Sequence, residues 1–317
     1  MLFLPLPQKT MSLLIVGTVA FDTIETPFGK AEKTVGGAAT YIALSASAFT
    51  ENIEIVSVVG EDFPAKTIEE FHKRKIGTGG LQIIPGKKSF YWAGRYRTDM
   101  NSRETLVTEL NVLADFNPIV PQPFRSADFL MLGNLTPLVQ QQVLNQMTKR
   151  PKLVVMDTMN YWMESMPKEL AATISRVDVL TINDEEARQL SGEYSLVKAA
   201  QKIMQMGPKY LIIKKGEHGA LLFYDKHVFF APALPLEDVF DPTGAGDSFA
   251  GGFIGYLDKT KDISFDNMKR AVIFGSAIAS FCVEKFGIDR LLELSTADVE
   301  DRVQEFIDLV QFDIALD

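Results

Sequence analysis

Asp241-Pro242-Thr243-Gly244-Ala245-Gly246-Asp247-Ser248-Phe249-Ala250-Gly251-Gly252 sets three small residues just ahead of a helical pattern in which Phe249, Phe253 and Leu257 share one face. A helix opened in this way leaves its first backbone N–H groups without intrahelical partners, at the positive end of the helix dipole. That is an anion site. A carboxylate there repels a phosphate that is merely bound. Asp247 fits better as a base that takes a proton from an attacking hydroxyl, while the amides of Gly244, Ala245 and Gly246 neutralise charge on a phosphoryl group in transfer. The competing reading is an aspartate that only caps a helix.

Outward from this stretch, short aliphatic runs recur at Leu13 to Val16, Ile53 to Val59, Phe129 to Leu132, Leu153 to Met156, Val177 to Ile182 and Tyr210 to Ile213. Helical signals lie between them. Pro137 opens one through Met147, Asn183-Asp184-Glu185-Glu186 reads as an N-cap with an acidic first turn, and Ser195 caps one reaching Met206. The alternation predicts an α/β fold: a doubly wound, mostly parallel sheet with helices on both faces and ligand chemistry at the carboxyl ends of the strands. Residues 22–35 and 81–114 break the pattern with hairpin-like alternation, as in Phe90 to Tyr96, the turn Thr98 to Asn101, and Thr105 to Thr108. They predict a small discontinuous β-sheet lid within one domain over 11–317, with 1–10 a loose extension. Tyr91, Trp92 and Tyr96 either line a pocket beneath that lid or stabilise the hairpin by cross-strand pairing.

The composition narrows the classes. The 317 residues are 46% hydrophobic and 23% charged, with a formal net charge of -9; without a dense Lys/Arg face, phosphate neutralisation on nucleic acid is not expected. The Lys73-Arg74-Lys75 cluster reads as a solvated helix face. The single cysteine, Cys282, lies in an apolar run and reads as a small buried residue, which excludes an internal disulfide and a thiolate cluster. The N-terminal Met1 to Pro7 lacks a basic segment and is broken by prolines, and no apolar run reaches the roughly 20 residues of a membrane span. A cytoplasmic protein without a membrane partner is expected.

Gly246-Asp247-Ser248-Phe249-Ala250 nearly spells the nucleophile elbow of an α/β-hydrolase, whose triad runs Ser, acid, His along the chain. His72, His218 and His227 all precede Ser248, so that fold would lack its base.

With these residues in order, the chain resembles the ribokinase/PfkB family of carbohydrate and nucleoside kinases. The D-x-T-G-A-G-D-x-F-x-x-G pattern beginning at Asp241 is similar to its C-terminal signature. Gly17-Thr18-Val19-Ala20-Phe21-Asp22 looks like its first strand, ending in a substrate-binding Asp. Val35-Gly36-Gly37-Ala38-Ala39-Thr40 resembles its di-glycine segment, Asn183-x-x-Glu186 its magnesium motif, and Lys214-Lys215-Gly216-Glu217-His218-Gly219 its strand-turn beside the nucleotide. The resemblance implies an ATP-dependent phosphotransferase acting on an alcohol group of a sugar or sugar-like molecule. Asp247 is then the general base. Asp22, Gly36, Gly37, Thr40, Tyr41 and Asp241 are implied at the substrate, and Asn183, Lys214, Lys215, Gly216, Gly219, Gly275 and Ala279 at the nucleotide. Mg²⁺ is implied at Asn183 and Glu186, held through water, and a monovalent cation near Asp241. Ribokinases usually read G-G-K-G-A-N where this chain has Ala38 and Tyr41, which turns the reading away from ribose and leaves a nucleoside kinase open, with Tyr41 either stacking on substrate or packing in the core. A nucleotide-binding regulator without catalysis is the reading from another class, and a homodimer through the lid follows if its outer face is apolar.

Overall fold

The computed structural model describes residues 12–311; the expected extension 1–10 lies outside them. The strands are β1 (Leu13–Val16), β2 (Ala20–Thr26), β3 (Gly29–Gly36), β4 (Ile53–Gly60), β5 (Ile76–Ile84), β6 (Phe90–Tyr96), β7 (Arg103–Glu109), β8 (Phe129–Leu132), β9 (Leu153–Asp157), β10 (Val179–Asn183), β11 (Tyr210–Lys214), β12 (Ala220–Tyr224) and β13 (His227–Ala231).

Nine strands form the main sheet in the order β13-β12-β11-β10-β9-β8-β1-β4-β5. The run from β11 to β5 is parallel, and β12 and β13 extend it antiparallel. Alternating side chains explain why the parallel strands read as unbroken apolar runs. Leu13 and Ile15 enter one buried layer with Phe249 and Phe253, whereas Leu14 and Val16 enter the layer on the opposite face with Val143, Leu170 and Ile203. The expected doubly wound α/β fold is borne out. Because β1 lies between β4 and β8, strand order reverses beside it, and the crevice at its carboxyl end is the place where such sheets bind ligands.

The second sheet has the order β3-β2-β6-β7 and interrupts the main sheet between β1 and β4 and again after β5. It differs from the expected lid in two respects. Residues 81–84 belong to β5 in the main sheet, and Asp22 stands on the small-sheet strand β2 rather than at the end of the first main strand. Only Gly17, Thr18 and Val19 separate β1 from β2, so those two strands read as one run, whereas the turn Pro85 to Ser89 divides β5 from β6.

The helix Ala245–Thr260, which carries the opening motif, is pressed against the helix Ala38–Ala46. A Cβ on Gly251 would stand 2.3 Å from the Ile42 carbonyl oxygen and 2.7 Å from Ser45 Cβ. Alanine ordinarily improves a helix interior over glycine by about 1 kcal/mol. Here backbone contact reverses the sign. Gly251→Ala is expected to lower stability by about 1–3 kcal/mol in urea unfolding, the range of overpacked cores; an increase would show that the two helices separate freely.

Candidate functional site

Three neighbouring strands end at one level. Asn183, the last residue of β10, pairs with Lys214, the last of β11, and Asp157 ends β9 one strand further on. Lys214 Nζ donates to Asp157 Oδ2 at 3.0 Å, and both side chains are mostly buried. The helix Ala245–Thr260 brings its N-terminus onto this row, so that Lys214 Nζ lies 3.1 Å from the position a Cβ on Gly246 would occupy. Asp247 sits in the first turn of that helix.

Burial dominates the electrostatics. It raises the Asp247 carboxyl to about 7, with Asp157 pushing the same way and Lys214 and Arg103 opposing. Glu186 is likewise raised to about 7, by burial and then by Asp157. For Lys214 burial works against the charge, but Asp157, Glu186 and Asp247 hold its pKa above the ordinary value. A helix N-terminus stabilises an anion by only about 0.3–1 kcal/mol, so at Asp247 desolvation wins. The result is a carboxylate poised near neutrality, which suits a general base.

Gly244, at φ 76°, ends the loop before this helix, and a Cβ on it would lie 2.5 Å from the Tyr41 ring. Tyr41 is thus a fully buried floor under the loop, which decides for the packing alternative over stacking on substrate. Ala245 donates its N–H to the Pro242 carbonyl at 3.2 Å. Of the amides expected to form an anion hole, that one is engaged, and the first-turn N–H of Gly246 remains for a ligand.

Other expected residues divide between lining and support. Asp22 is buried, accepts a hydrogen bond from the Gly37 N–H and is raised to about 7, chiefly by burial and further by Asp241 and Asp247. A Cβ on Gly36 would overlap its carboxylate at 1.9 Å, so glycine is required there. Thr40 turns its hydroxyl back to the Gly36 carbonyl at 2.7 Å and holds the segment from behind. Asp241 accepts from the N–H groups of Thr243 at 2.8 Å and Gly287 at 2.9 Å, so each of its oxygens ties the loop to the backbone. Asn183 and Glu186 form a reciprocal cap: Asn183 Oδ1 accepts from the Glu186 N–H at 2.7 Å, and Glu186 Oε2 accepts from the Asn183 N–H at 2.8 Å. Glu186 Oε1 is left over. One free carboxylate oxygen suits Mg²⁺, which keeps most of its waters and takes few protein ligands.

Beside this row opens a cavity of about 440 Å³ lined by residues that include Lys214, Gly216, Gly219, Gly246 and Ala279. Lys215 and Gly275 stand outside its lining. Gly275 serves helix packing instead, since a Cβ on it would meet the Phe249 carbonyl oxygen at 2.8 Å. Sequence reasoning missed the wall formed by Leu234, Pro235, Leu236 and Val239, which has no regular structure and carries no motif.

The small sheet covers the same site. Trp92 pairs across strands with Asp22, which puts both on one face, and Tyr96 Oη lies 3.2 Å from Thr243 Oγ1. Tyr91 pairs with Phe21 and belongs to the opposite face. The hairpin tip at Asp99, Met100 and Asn101 lines the cavity. Cys282 is buried and its thiol is pushed up to about 12, in keeping with a packing residue.

A parallel α/β sheet, a basic and carboxylate row at its strand ends and a helix N-terminus aimed at an adjoining cavity define a phosphotransferase of small molecules. A model of the pfkB family carbohydrate kinases matches residues 13–293, and the chain belongs to that family. Its members are enzymes that transfer phosphate to a hydroxyl of sugars and nucleosides, so the expected class is borne out. The chain is 32% identical over 250 residues to a cytidine kinase of Thermococcus kodakarensis, covering 77% of this chain and 87% of that one. The fold matches a Methanocaldococcus jannaschii nucleoside kinase with a TM-score of 0.74 at 20% identity, over 94% of this chain and 100% of that one. It also matches an E. coli ribokinase II structure in complex with ATP and Mg²⁺, with a TM-score of 0.73 at 16% identity, over 92% and 99%. Among the described residues no helix is long and apolar enough to cross a membrane.

The native pKa of Asp247, about 7, lies above its ordinary 3.8, so the folded state holds the proton more tightly than the unfolded chain. That contribution is full below the ordinary value and is lost as pH rises to about 7. Asp247→Asn cannot ionise and is expected to be more stable than the unaltered protein at about pH 8, the gap closing toward about pH 4 in urea titrations. A less stable variant at the higher pH would show that the charge serves as a favourable cap.

Proposed function

We propose that the protein transfers the γ-phosphoryl group of ATP to a primary hydroxyl of a nucleoside, with Asp247 as general base. The observation that carries the chemistry is the half-buried Asp247 at a helix N-terminus, beside the Asp157–Lys214 pair and the open cavity. The nucleoside acceptor is supported by the similarity to a cytidine kinase over most of both chains, and by Ala38 and Tyr41 where ribokinases carry Lys and Asn.

In this reading the nucleotide occupies the cavity along Gly216, Gly219 and Ala279, and the acceptor lies against Asp22 and the Gly36–Gly37 backbone. The hydroxyl oxygen bonds to the γ-phosphorus as the bond to the β–γ bridging oxygen breaks, ADP leaves, and the hydroxyl proton passes to Asp247. Lys214 and the Gly246 N–H offset negative charge on the phosphoryl oxygens. Mg²⁺, when bound, neutralises the phosphates and orients them; Glu186 would hold it through water.

ADP release measured with cytidine, uridine, adenosine, inosine, ribose and fructose tests the acceptor, and turnover of free sugars alone would overturn the nucleoside reading. For the base, Asp247→Asn is expected to lower kcat by about 10²–10⁴-fold while ATP binding survives. In the unaltered protein, kcat/KM should climb with pH, pass half its limit near 7 and level off about one pH unit higher, where Asp247 is ionised. Near-normal turnover in the variant would remove Asp247 from the chemistry.

Glu186→Gln keeps a carbonyl oxygen for the Asn183 cap and loses only the charge. It is expected to raise the Mg²⁺ concentration for half-maximal turnover by about tenfold or more, the usual range for a lost metal-supporting group. An unchanged Mg²⁺ titration with unchanged melting would reduce Glu186 to a capping residue.

A further inference from the structure

Gln140 lies in the helix Pro137–Gln146 beside Val139, Val143 and Leu144, which enter the apolar layer on that face of the sheet, and its side chain is fully buried. The ladder between β8 and β9 stops where Leu132 pairs with Met156. On each strand the next carbonyl, that of Gly133 and that of Asp157, accepts from Gln140 Nε2, at 3.0 and 3.1 Å. One carboxamide thus continues the ladder past its last backbone rung. Two acceptors at these distances also fix which end of the amide carries the nitrogen. Packing alone does not call for this arrangement. Among the described residues Gln140 Oε1 has no hydrogen-bond partner, so a carbonyl is desolvated without return where a methionine would fill the same layer.

The two carbonyls give the contact its meaning. Gly133 donates its N–H to the Val16 carbonyl at 2.7 Å, and a Cβ on it would lie 3.4 Å from Ala38 Cβ, in the helix that Gly36 and Gly37 open. On the reading above, that strand end lies under the acceptor. Asp157 accepts from the Thr158 N–H at 2.7 Å through Oδ1 and from Lys214 Nζ at 3.0 Å through Oδ2. That strand end lies under the phosphates. Gln140 therefore joins the backbone beneath one reactant to the backbone beneath the other, without itself lining the cavity. In-line transfer needs its reacting atoms within about 3–3.5 Å of each other, and a misplacement of about 1 Å costs on the order of 10²-fold.

We propose that Gln140 is a positioning residue for the transfer: its carboxamide fixes the ends of β8 and β9 against each other and so sets the distance between the acceptor hydroxyl and the phosphoryl group that Lys214 faces. The inference rests on the phosphotransfer reading above. Loss of both bonds frees Asp157, and Lys214 with it. At Asp247 the effect of Asp157, which raises the carboxyl, exceeds that of Lys214, which lowers it, while Arg103 opposes from the small sheet. Releasing the pair therefore lowers the pH at which Asp247 ionises.

The test compares Gln140→Met and Gln140→Glu with the unaltered protein, using Gln141→Met as a control in the same helix. Gln141 also donates two bonds through Nε2, to the Glu169 carbonyl at 2.8 Å and to Thr173 Oγ1 at 3.0 Å, but both partners lie in the helix Pro167–Ile174. Turnover is read by ADP release across pH, folding by thermal melting, and the Asp247 carboxyl by NMR of labelled aspartate, with Asp247→Asn assigning its signal. Gln140→Met is expected to lose about 10–10²-fold in kcat, to keep KM for ATP within about threefold, and to ionise Asp247 about half a pH unit lower or more. Gln140→Glu keeps a donor only while protonated, so its kcat should exceed that of Gln140→Met at about pH 6 and fall to it at about pH 9. Gln141→Met should melt at a lower temperature and turn over within about twofold of normal. Equal kcat for folded Gln140→Met and Gln141→Met, or an unmoved Asp247 titration, would overturn the assignment. Should Gln140→Met not fold, Gln140→Glu decides, since a constant kcat ratio to the unaltered protein across pH overturns it equally. If the unaltered protein phosphorylates none of the sugars and nucleosides offered, the phosphotransfer reading fails by itself; the Asp247 titration still decides whether Gln140 holds the row, and an unchanged midpoint overturns it.

Discussion

The site is built on an unfavourable burial. Asp157, Glu186 and Asp247 converge with Lys214 at the carboxyl edge of the parallel sheet, and desolvation raises both Asp247 and Glu186 to about 7. One buried lysine does not balance three carboxylates in a medium that screens poorly. The imbalance persists because strand register fixes the backbone beneath each group, with Asn183 opposite Lys214 and Thr181 opposite Asp157. Stability is sacrificed locally to hold protonation equilibria near neutrality, and the large two-layered core supplies the surplus.

Holding Asp247 in that position requires the helix Ala245–Thr260 to approach its neighbours more closely than side chains ordinarily allow. Gly251 meets the Ile42 carbonyl, Gly252 meets Gly275 of the helix Phe265–Cys282, and Gly244 rests on the Tyr41 ring. Asp241 then pins the loop ahead of the helix to the Thr243 and Gly287 amides. The motif therefore joins two demands. Its small residues permit close packing as well as exposed amides, and Asp241 is a positioning residue whose oxygens are both engaged by backbone.

Much of the frame was legible in the sequence because buried parallel strands are continuous apolar runs: β1, β6 and β8 have the expected limits, and β9 and β11 differ by one residue. β5 is absent from the expected apolar runs because glycines interrupt it at Gly77, Gly79 and Gly80; Gly77 and Gly79 leave room for the Glu54 carboxylate, which accepts the Gly80 N–H at 2.8 Å. The site was legible where local pattern fixes geometry, as at Asn183, Glu186 and the loop before Asp247. It was hidden where cross-strand register does so. Nothing local to Asp157 or Tyr96 announces that the first pairs with Lys214 and the second with Thr243, and the same register removes Tyr91 to the outer face.

The division of the site between two sheets has a consequence for order of assembly. The main sheet contributes Asp157, Glu186 and Lys214, while the small sheet contributes Asp22, Trp92, Tyr96 and Arg103 on one face. Contacts that set their separation include Thr26 Oγ1 to the Phe240 carbonyl at 3.0 Å, Phe28 against Phe240, Phe21 against Phe63, Tyr96 against Thr243, and Asn101 against Gly216. Side-chain contacts of this kind yield before either sheet's own hydrogen-bond ladder. On the reading proposed above, an acceptor held by Asp22 is attached to the moving part and the phosphates to the fixed part. Closure then brings hydroxyl and phosphorus into line and expels water. Lys214, which stands on the fixed part, favours the ionised form of Asp247, so the base is made ready where the phosphates are held rather than where the acceptor arrives.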